Sequence, residues 1–217
     1  MFATVVLSAR HEVHATPMIH PSTEIRYISE DIGHGLVATA FIPKGTITWA
    51  LCDLDQKIAP ETVDAMSEFM KRQVIKYAYI DGRGRHILCW DSARFVNHHC
   101  EANCLPIGLD FEVAIRDIQA GEQLTDDYGG LNIEEQFSCR CGSPKCRGVV
   151  SPTDILRFAD EWDAAVMHAL PHLSKVEQPL WPVVKHQTEI QAILAGSPAV
   201  SCRKHYHPYN GVRPVAL

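Results

Sequence analysis

The feature that most restricts how this chain can fold is a cluster of three cysteines late in the sequence. Cys139, Cys141 and Cys146 form a C-x-C-x4-C pattern within SCRCGSPKCRG, where a Gly and a Pro favour a tight turn. Closely spaced thiols of this kind are typical of a zinc-binding loop, and structural zinc takes four tetrahedral ligands. A fourth ligand must come from elsewhere in the chain, and the candidates are Cys100, Cys104 or a histidine.

The context of the cysteines favours metal binding or catalysis over disulfide bonds. The chain has eight cysteines in 217 residues, and its first residues, MFATVVLSARHEVHA, lack the basic stretch that opens a secretory signal. No run approaches the roughly 18 consecutive apolar residues that a membrane-spanning helix needs. We therefore expect an intracellular chain without membrane contact, cytoplasmic if its source is bacterial and nuclear if it is eukaryotic.

The negative charge is concentrated in the first part of the chain. Residues 1–150 carry a net charge of −6, whereas residues 151–217 are neutral. An acidic domain repels the phosphate backbone of a nucleic acid and attracts basic polypeptides. The charge therefore predicts a Lys/Arg-rich protein partner and argues against direct nucleic-acid binding. The oligomeric state is not predicted.

Short β-branched or aromatic segments bounded by Gly, Pro or Asp indicate a mostly β chain up to about residue 130. The predicted strands are EIRYIS (24–29), HGLVATAFI (34–42), GTITWALC (45–52), HILCWDS (86–92) and FEVAIRDI (111–118). One helix is predicted among them, over PETVDAMSEFMKRQVIKY at about residues 60–77, because its apolar side chains are spaced three and four apart.

Helices are predicted again after the cysteine cluster. SPTDILRFADEWDAAVMHAL has helical periodicity up to Pro171, and VVKHQTEIQAILAG predicts a second helix. The chain from Ser197 onwards is predicted to be irregular. The apolar positions of both helices most simply form a packing face, so residues 151–217 are expected to support the domain before them.

Three short polar segments carry the candidate chemistry. In DIGHGLVATAF, Gly33 and Gly35 flank His34 at the start of a strand, where a ligand can approach the backbone closely. SARFVNHHCEANC places polar and metal-ligating side chains after an apolar pair, and AGEQLTDDYGG places Tyr128 after two carboxylates. Each segment alone fits an ordinary turn or surface loop. Their order along the chain is the stronger signal.

In this order, and together with the cysteine cluster, the segments resemble the SET-domain protein-lysine methyltransferases. The family pattern is G-x-G, then R-F-x-N-H-S-C-x-P-N, then G-E-x-L-x-x-D-Y, and often a post-SET C-x-C-x4-C. This chain has GHG, RFVNHHCEAN, GEQLTDDY and CRCGSPKC across residues 24–150. The resemblance implies the SET (β-clip) fold, mostly β with helices, in a compact member similar to stand-alone bacterial proteins.

The resemblance also implies how the chain is divided. It predicts an N-terminal segment (1–23), a SET domain (24–132) with the helical insert at about 60–77, a post-SET zinc knuckle (133–150) and a C-terminal helical extension with an irregular tail (151–217). No motif of the family assigns a role to the extension.

S-adenosylmethionine is the cofactor that the resemblance implies. The cofactor-binding residues are then His34, Gly35, Arg94, Asn97 and His98. Arg140, within the knuckle, is a further candidate to cover the adenine. In the family the Cys of the N-H-S-C segment completes the zinc site, which makes Cys100 the fourth ligand beside the three knuckle cysteines. Such a site ties the knuckle over the cofactor and substrate pockets.

Methyl transfer to lysine needs a neutral amine in line with the methyl–sulfur bond of the cofactor. The free amine has a pKa of about 10.4, so burial in a narrow apolar channel beside the sulfonium must favour its neutral form. A tyrosine hydroxyl can hold the polarised methyl by weak C–H···O contacts. The resemblance assigns this catalytic role to Tyr128. KYAYIDG offers Tyr77 or Tyr79 as a second aromatic of the channel, and Tyr77 is preferred.

Departures from the family pattern limit these implications. His99 and Ala102 replace the usual Ser and Pro and leave the neighbouring polar residues in place. Asp126 stands where the family commonly has Phe or Tyr, a position associated with the number of methyl groups added. A carboxylate there can pair with the substrate amine or face solvent, so the degree of methylation is not predicted.

The sequence therefore predicts a protein-lysine N-methyltransferase that acts on a histone or another basic protein. One alternative is a catalytically silent, zinc-stabilised module that binds a basic peptide, although the intact Tyr128, Asn97 and His98 argue against it. The other is a methyltransferase for a non-histone protein. The target lysine and the source organism are not predicted.

Overall fold

A computed structural model describes residues 18–108, 110–198 and 201–208 of the chain. Most of the predicted N-terminal segment and the last part of the predicted irregular tail lie outside these residues. Residues 18–20 run beside the core, where Ile19 forms an isolated bridge with Trp49. Among the described helices, none combines the length and the apolar character needed to cross a membrane.

Small sheets of two or three strands make up the first part of the fold. The strands are β1 (Thr23–Ser29), β2 (Gly33–Ala38), β3 (Ile47–Ala50), β4 (Gln56–Ile58), β5 (Ala78–Ile80), β6 (His86–Leu88), β7 (Asn97–His98), β8 (Cys104–Pro106), β9 (Phe111–Ala114), β10 (Thr125–Asp126), β11 (Phe137–Ser138) and β12 (Val149–Val150). They pair as β1–β2, β3–β9–β8, β4–β6–β5, β7–β10 and β11–β12. The β7–β10 pair is parallel and the other pairs are antiparallel.

Most predicted strands are present but shorter than predicted. GTITWALC is a strand only over Ile47–Ala50 and FEVAIRDI only over Phe111–Ala114, because these two segments pair with each other over that length. HILCWDS leaves the sheet after Leu88, and Ser92–Phe95 forms a 3-10 turn. Asp91 caps this turn by accepting a hydrogen bond from the Ala93 N–H at 3.0 Å.

The prediction of one helix over residues 60–77 is wrong. The segment forms two helices, α1 (Pro60–Asp64) and α2 (Glu68–Tyr77). Ser67 separates them, since its hydroxyl accepts a hydrogen bond from the Met70 N–H and so caps the start of α2. The apolar spacing continues across the break, which is why periodicity alone did not reveal it.

The C-terminal extension contains α3 (Asp154–Leu173) and α4 (Gln187–Leu194). Helix α3 does not stop at Pro171 as predicted, since a proline in the last turn removes only one backbone donor and the helix ends two residues later. The predicted second helix begins later than its apolar pattern, after a 3-10 turn at Trp181–Val183. The tail predicted to be irregular contains a 3-10 turn at Cys202–His205.

Both C-terminal helices contribute to the core cluster of the β3–β9–β8 sheet, and α3 packs directly on β8 and β9. Val166 and Leu170 of α3 are buried in one cluster with Phe111 and Val113 of β9. Gln178, after α3, extends this contact, because its side chain accepts the Ile47 N–H at 2.8 Å and donates to other backbone carbonyls. The extension therefore supports the central strand on which the candidate site is built.

Candidate functional site

The parallel β7–β10 pair brings two of the polar segments together. Asn97 lies opposite Thr125 and His98 opposite Asp126. Tyr128 begins a 3-10 turn directly after β10, and its backbone N–H donates to His98 Nδ1 at 3.2 Å. Its hydroxyl donates to the Val96 carbonyl oxygen at 2.7 Å. Burial raises the pKa of the Tyr128 phenol, so it stays protonated and keeps this hydrogen bond.

Tyr128 lines a cavity of about 530 Å³, within the size range of small-ligand sites. Tyr77, the preferred second aromatic, and Tyr79, its alternative, both line the same cavity. The Tyr77 ring contacts the Phe95 ring edge-on at 5.9 Å, and the Tyr79 ring contacts the Trp49 ring at 5.8 Å. The structure thus brings all three tyrosines together and does not choose between Tyr77 and Tyr79.

The wall of this cavity is acidic. Its carboxyl residues are Asp81, Asp110, Glu112, Asp126, Glu134 and Glu135, and its Lys and Arg residues are Lys76 and Arg94. Three of the carboxylates have partners within the protein: Asp81 with Arg85 at 2.6 Å, Glu134 with His86 at 2.9 Å and Asp110 with His186 at 3.6 Å. The remaining excess of carboxyl groups fits a cationic ligand better than an anionic one.

Asp126 is buried at the inner end of the cavity and does not face bulk solvent, which was one of the two predicted alternatives. Its Oδ1 accepts the Asp127 N–H at 2.6 Å, and its carboxyl group lies within hydrogen-bonding reach of Glu112. Burial raises the pKa of Glu112 to about 7. Burial and the Glu112 charge raise the pKa of Asp126 well above its usual range. Two touching carboxyls of this kind share a proton.

A second group of predicted residues lies on the β1–β2 side. Asn97 Nδ2 donates to the His34 carbonyl oxygen and to Gln123 Oε1, both at 3.1 Å. Gly35 is required at this point, since a Cβ there would lie 2.6 Å from Asn97 Nδ2 and would collide with Gln123. The exposed His34 ring lies 6.3 Å from the Phe95 ring, which connects this group to the cavity.

Arg94 and His98 lie on either side of that group. The Arg94 guanidinium is 5.4 Å from the Phe95 ring centroid, lines the cavity and makes no ion pair with any described residue. A guanidinium beside a half-buried aromatic ring fits a ligand that carries both a carboxylate and a planar base. His98 lies on the opposite side, beside Tyr128 and the cysteine cluster. Arg140, the further candidate, is exposed and is not among the described residues of the cavity wall.

The cysteine knuckle folds back onto Cys100. Ligand atoms of His98, Cys100, Cys139 and Cys141 all lie within 4.8 Å of one another, and the Cys100 and Cys139 sulfurs are 3.7 Å apart. Cys146 lies next to this set, with its Sγ 3.4 Å from the Cys139 carbonyl oxygen.

The chemistry of these donors suits zinc. A hydrogen bond from the Gly148 N–H lowers the pKa of Cys146 to about 7, which favours the thiolate that binds metal. Thiolates are the usual ligands of structural zinc. Cys104, the spare candidate for the fourth ligand, is buried in the core cluster around Trp49 instead.

Sequence reasoning missed an ion pair that joins the knuckle to the Tyr128 turn. Arg147 donates two hydrogen bonds of 2.6 Å to the buried Asp127 carboxylate, and its guanidinium lies over the Phe158 ring at 4.8 Å. Asp127 also accepts the Gly129 N–H at 3.0 Å. The signal was an arginine directly after the last knuckle cysteine and a second carboxylate directly before Tyr128.

Comparison with known proteins finds similarity in the central part of the chain. Residues 33–129 match the model of the SET domain. The chain is 34% identical over 142 residues to the histone-lysine N-methyltransferase EHMT1 of Homo sapiens, which covers 56% of this chain and 10% of that protein. It is 32% identical over 130 residues to the histone-lysine N-methyltransferase ATX2 of Arabidopsis thaliana, covering 51% of this chain and 11% of that protein.

The chain spans about a tenth of the length of these relatives. Among solved structures, it matches the crystal structure of KRYPTONITE in complex with mCHG DNA and SAH. The sequence identity is 23%, the TM-score is 0.42, and the match covers 59% of this chain and 28% of that one.

Proposed function

We propose that this chain, whose residues 33–129 are a SET domain, is an S-adenosylmethionine-dependent protein-lysine N-methyltransferase. The observation that carries the proposal is the buried Tyr128 hydroxyl in the wall of an acidic, aromatic cavity. The relatives EHMT1 and ATX2 are named histone-lysine N-methyltransferases, which supports the same reaction here. The predicted fold of small sheets with helices is confirmed.

The residues around the cavity have separate tasks in this reaction. When bound, S-adenosylmethionine supplies a methyl group activated on a sulfonium. Arg94 fits its carboxylate, and the Asn97 bonds fix the His34 backbone where the rest of the cofactor would bind. Tyr128, locked through Val96 and His98, keeps its hydroxyl oxygen directed at one point of the cavity. The aromatic wall of Tyr77 and Tyr79 excludes water from the incoming amine, which favours its neutral form.

The substrate proposed is a lysine of a histone or another basic protein. Unpaired carboxyl groups in the cavity wall attract a cationic side chain, and the net charge of −6 favours a basic polypeptide around it. The free cysteines of the knuckle favour a reducing compartment, so we propose an intracellular site of action.

We further propose that Cys100, Cys139, Cys141 and Cys146 hold a structural zinc ion. Judged by distance alone, His98 is also a candidate for the fourth ligand position, which we assign to Cys146. However, His98 Nδ1 accepts the Tyr128 N–H, and burial lowers the pKa of His98 to about 4, so the ring is neutral. A neutral imidazole carries its single hydrogen on the other nitrogen, so Nε2 is a donor and not a ligand. This leaves Cys146 as the fourth ligand.

Metal analysis tests this ligand set. The proposal predicts one zinc per chain, a clear loss of zinc and a lower melting temperature in Cys146→Ser, and full zinc content in His98→Gln. Loss of zinc in His98→Gln with full content in Cys146→Ser would assign the fourth position to His98 instead.

The methyltransferase proposal is tested by incubating the zinc-loaded chain and labelled S-adenosylmethionine with core histones and with a hypomethylated cell lysate. Label on a protein band, located on lysine by mass spectrometry, supports the proposal, and the identity of the band separates a histone from a non-histone target. Cofactor binding in calorimetry without transfer to any band would favour the silent binding module.

A further inference from the structure

Two carboxyl groups form the inner end of the cavity, and the reaction described above does not use them. Glu112 lies on β9, where it pairs with Trp49 of β3 and Pro106 of β8. Asp126 lies on β10, two residues before Tyr128, and alternate residues of an extended chain project to the same side. Glu112, Asp126 and Tyr128 consequently all line one cavity.

This acid pair lacks a cationic partner. Neither carboxyl group makes an ion pair within the part of the chain that the structure describes. The Trp49 indole lines the same cavity, and its buried Nε1–H has no hydrogen-bond partner among the described residues. Buried polar groups are normally satisfied, so the unpartnered indole N–H beside two carboxyl groups without a counter-charge indicates that a polar ligand completes the site.

We propose that Glu112 and Asp126 accept the N–H groups of an unmethylated lysine amine and thereby restrict the chain to a single methyl transfer. This inference rests on the proposed lysine methyltransferase function. An amine ready for transfer points its lone pair at the methyl group and has two N–H donors left, and the acid pair offers the acceptors for them. Each methyl group added replaces one donor with an apolar group that a carboxyl oxygen cannot bind.

The groups already named account for the protons and electrons of the methyl transfer. The lysine ammonium gives one proton to the acid pair, which holds a single negative charge when its carboxyls share a proton. The nitrogen lone pair forms the new N–C bond while the C–S bond of the sulfonium breaks and leaves its electron pair on sulfur. The products are a monomethylammonium and a thioether, and the proton on the pair returns to water after release.

The test compares methylation states by mass spectrometry on the labelled protein from the core-histone and lysate assay, at long incubation. Wild type is expected to produce monomethyllysine only. Asp126→Ala, which removes an acceptor and opens space, is expected to produce dimethyllysine and to lose at least about tenfold in the rate on unmethylated lysine. Glu112→Gln keeps the side-chain volume and serves as a second variant if Asp126→Ala does not fold.

A matched control is Glu122→Gln, which removes a carboxylate outside the cavity, and its product is expected to match that of wild type. Dimethyllysine or trimethyllysine from wild type would overturn the inference and leave the methyltransferase function intact. Monomethyllysine from folded Asp126→Ala and Glu112→Gln at an unchanged rate would also overturn it.

A binding measurement keeps the inference testable if wild type transfers no methyl group and the proposed function fails. NMR titration of the chain with n-butylamine and with N,N-dimethylbutylamine compares the two amines directly. The inference predicts at least about tenfold tighter binding of n-butylamine, and loss of this preference in Asp126→Ala. Equal binding of both amines to wild type would overturn it.

Discussion

The residues around Tyr128 alternate in direction, and this alternation gives each a different task. Asp126 and Tyr128 face the cavity, whereas Asp127 between them faces Arg147 and the His98 ring. One short extended segment therefore contributes to the candidate substrate cavity on one side and to the attachment of the knuckle on the other. Asp127 has a role in folding, whereas the role proposed for Asp126 is in ligand binding.

Replacement of Glu112 by Gln is expected to change how stability depends on pH. Burial raises the pKa of Glu112 from 4.5 to about 7, so the folded chain binds this proton more tightly than the unfolded chain does. The stabilisation is complete below the unfolded value of 4.5 and is lost as the pH rises through 7. Wild type should therefore lose unfolding free energy relative to Glu112→Gln over this range.

Urea denaturation of both proteins at about pH 5 and about pH 8 measures this difference, with Glu122→Gln as the control. The control should show the same change in unfolding free energy between the two pH values as wild type. A free-energy difference between wild type and Glu112→Gln that is the same at both pH values would show that the folded-state pKa of Glu112 is not raised.

At the residue scale, motif residues could be predicted and their partners could not. Tyr128, Asn97 and Cys100 stand in recognisable strings, so their proximity followed from the sequence. Glu112 lies within an ordinary strand sequence, FEVA, and reaches the cavity only through the register of β9 against β3. Register between distant strands is set by packing of the whole sheet and is not encoded in local sequence.

At the scale of elements, the knuckle, the Tyr128 turn and helix α3 meet at one arginine. Arg147 follows the last knuckle cysteine, pairs with Asp127 beside Tyr128, and approaches Asp154 at the start of α3 at 3.5 Å. Asp127 and Asp154 are only 2% and 1% exposed. Asp127 depends on Arg147 for charge compensation, whereas Asp154 also pairs with Arg157 at 3.6 Å. The knuckle is thereby fixed to the candidate catalytic turn by charge, in addition to the zinc site proposed above.

Arg147→Gln is expected to destabilise the chain by about 3–5 kcal/mol, because it leaves the buried Asp127 carboxylate without a counter-charge. The double variant Arg147→Gln with Asp127→Asn removes a charge from each side and should recover part of that loss. Urea denaturation of wild type, both single variants and the double variant provides the comparison. A loss below about 1 kcal/mol in Arg147→Gln would mean that the pair is exposed to solvent in solution.

The presence of helices and strands was predicted better than the residues at which they begin and end. The strands β1, β2, β3, β6 and β9 were indicated by their β-branched and aromatic content, yet β3 and β9 end where their partners end. The two-residue strands β7 and β10, which carry site residues, were not predicted. The break between α1 and α2 depends on the Ser67 cap, a hydroxyl-to-backbone bond that competes with continued helix. The end of α3 beyond Pro171 reflects its packing on the sheet, which outweighs the one lost backbone bond.

For the whole molecule, the C-terminal extension is a structural part of the unit that carries the candidate site. Its helices complete the cluster that holds β3 and β9, and β9 carries Glu112. The family match at residues 33–129 ends before this extension, so its contribution was visible only as two apolar helix faces. Substitutions on the packed face of α3 should accordingly lower the unfolding free energy of the chain as their main effect.

Two leucines of α3 provide a matched test of this role. Leu170→Ala, at a position 2% exposed, should lower the unfolding free energy by about 2–5 kcal/mol through loss of core packing. Leu156→Ala, at a position 45% exposed on the same helix, should change it by less than about 1 kcal/mol. Equal effects of the two substitutions in thermal or urea denaturation would contradict packing of α3 on the sheet.

The most direct test of the central claim is the rate of methyl transfer to lysine by wild type and by Tyr128→Phe, with Tyr206→Phe, outside the cavity wall, as the control. Removal of one hydroxyl that aligns the reacting groups should lower the rate by about 100-fold or more, with cofactor binding largely retained. The control should keep the wild-type rate. Transfer by Tyr128→Phe at the wild-type rate would contradict the assignment of this cavity as the active site.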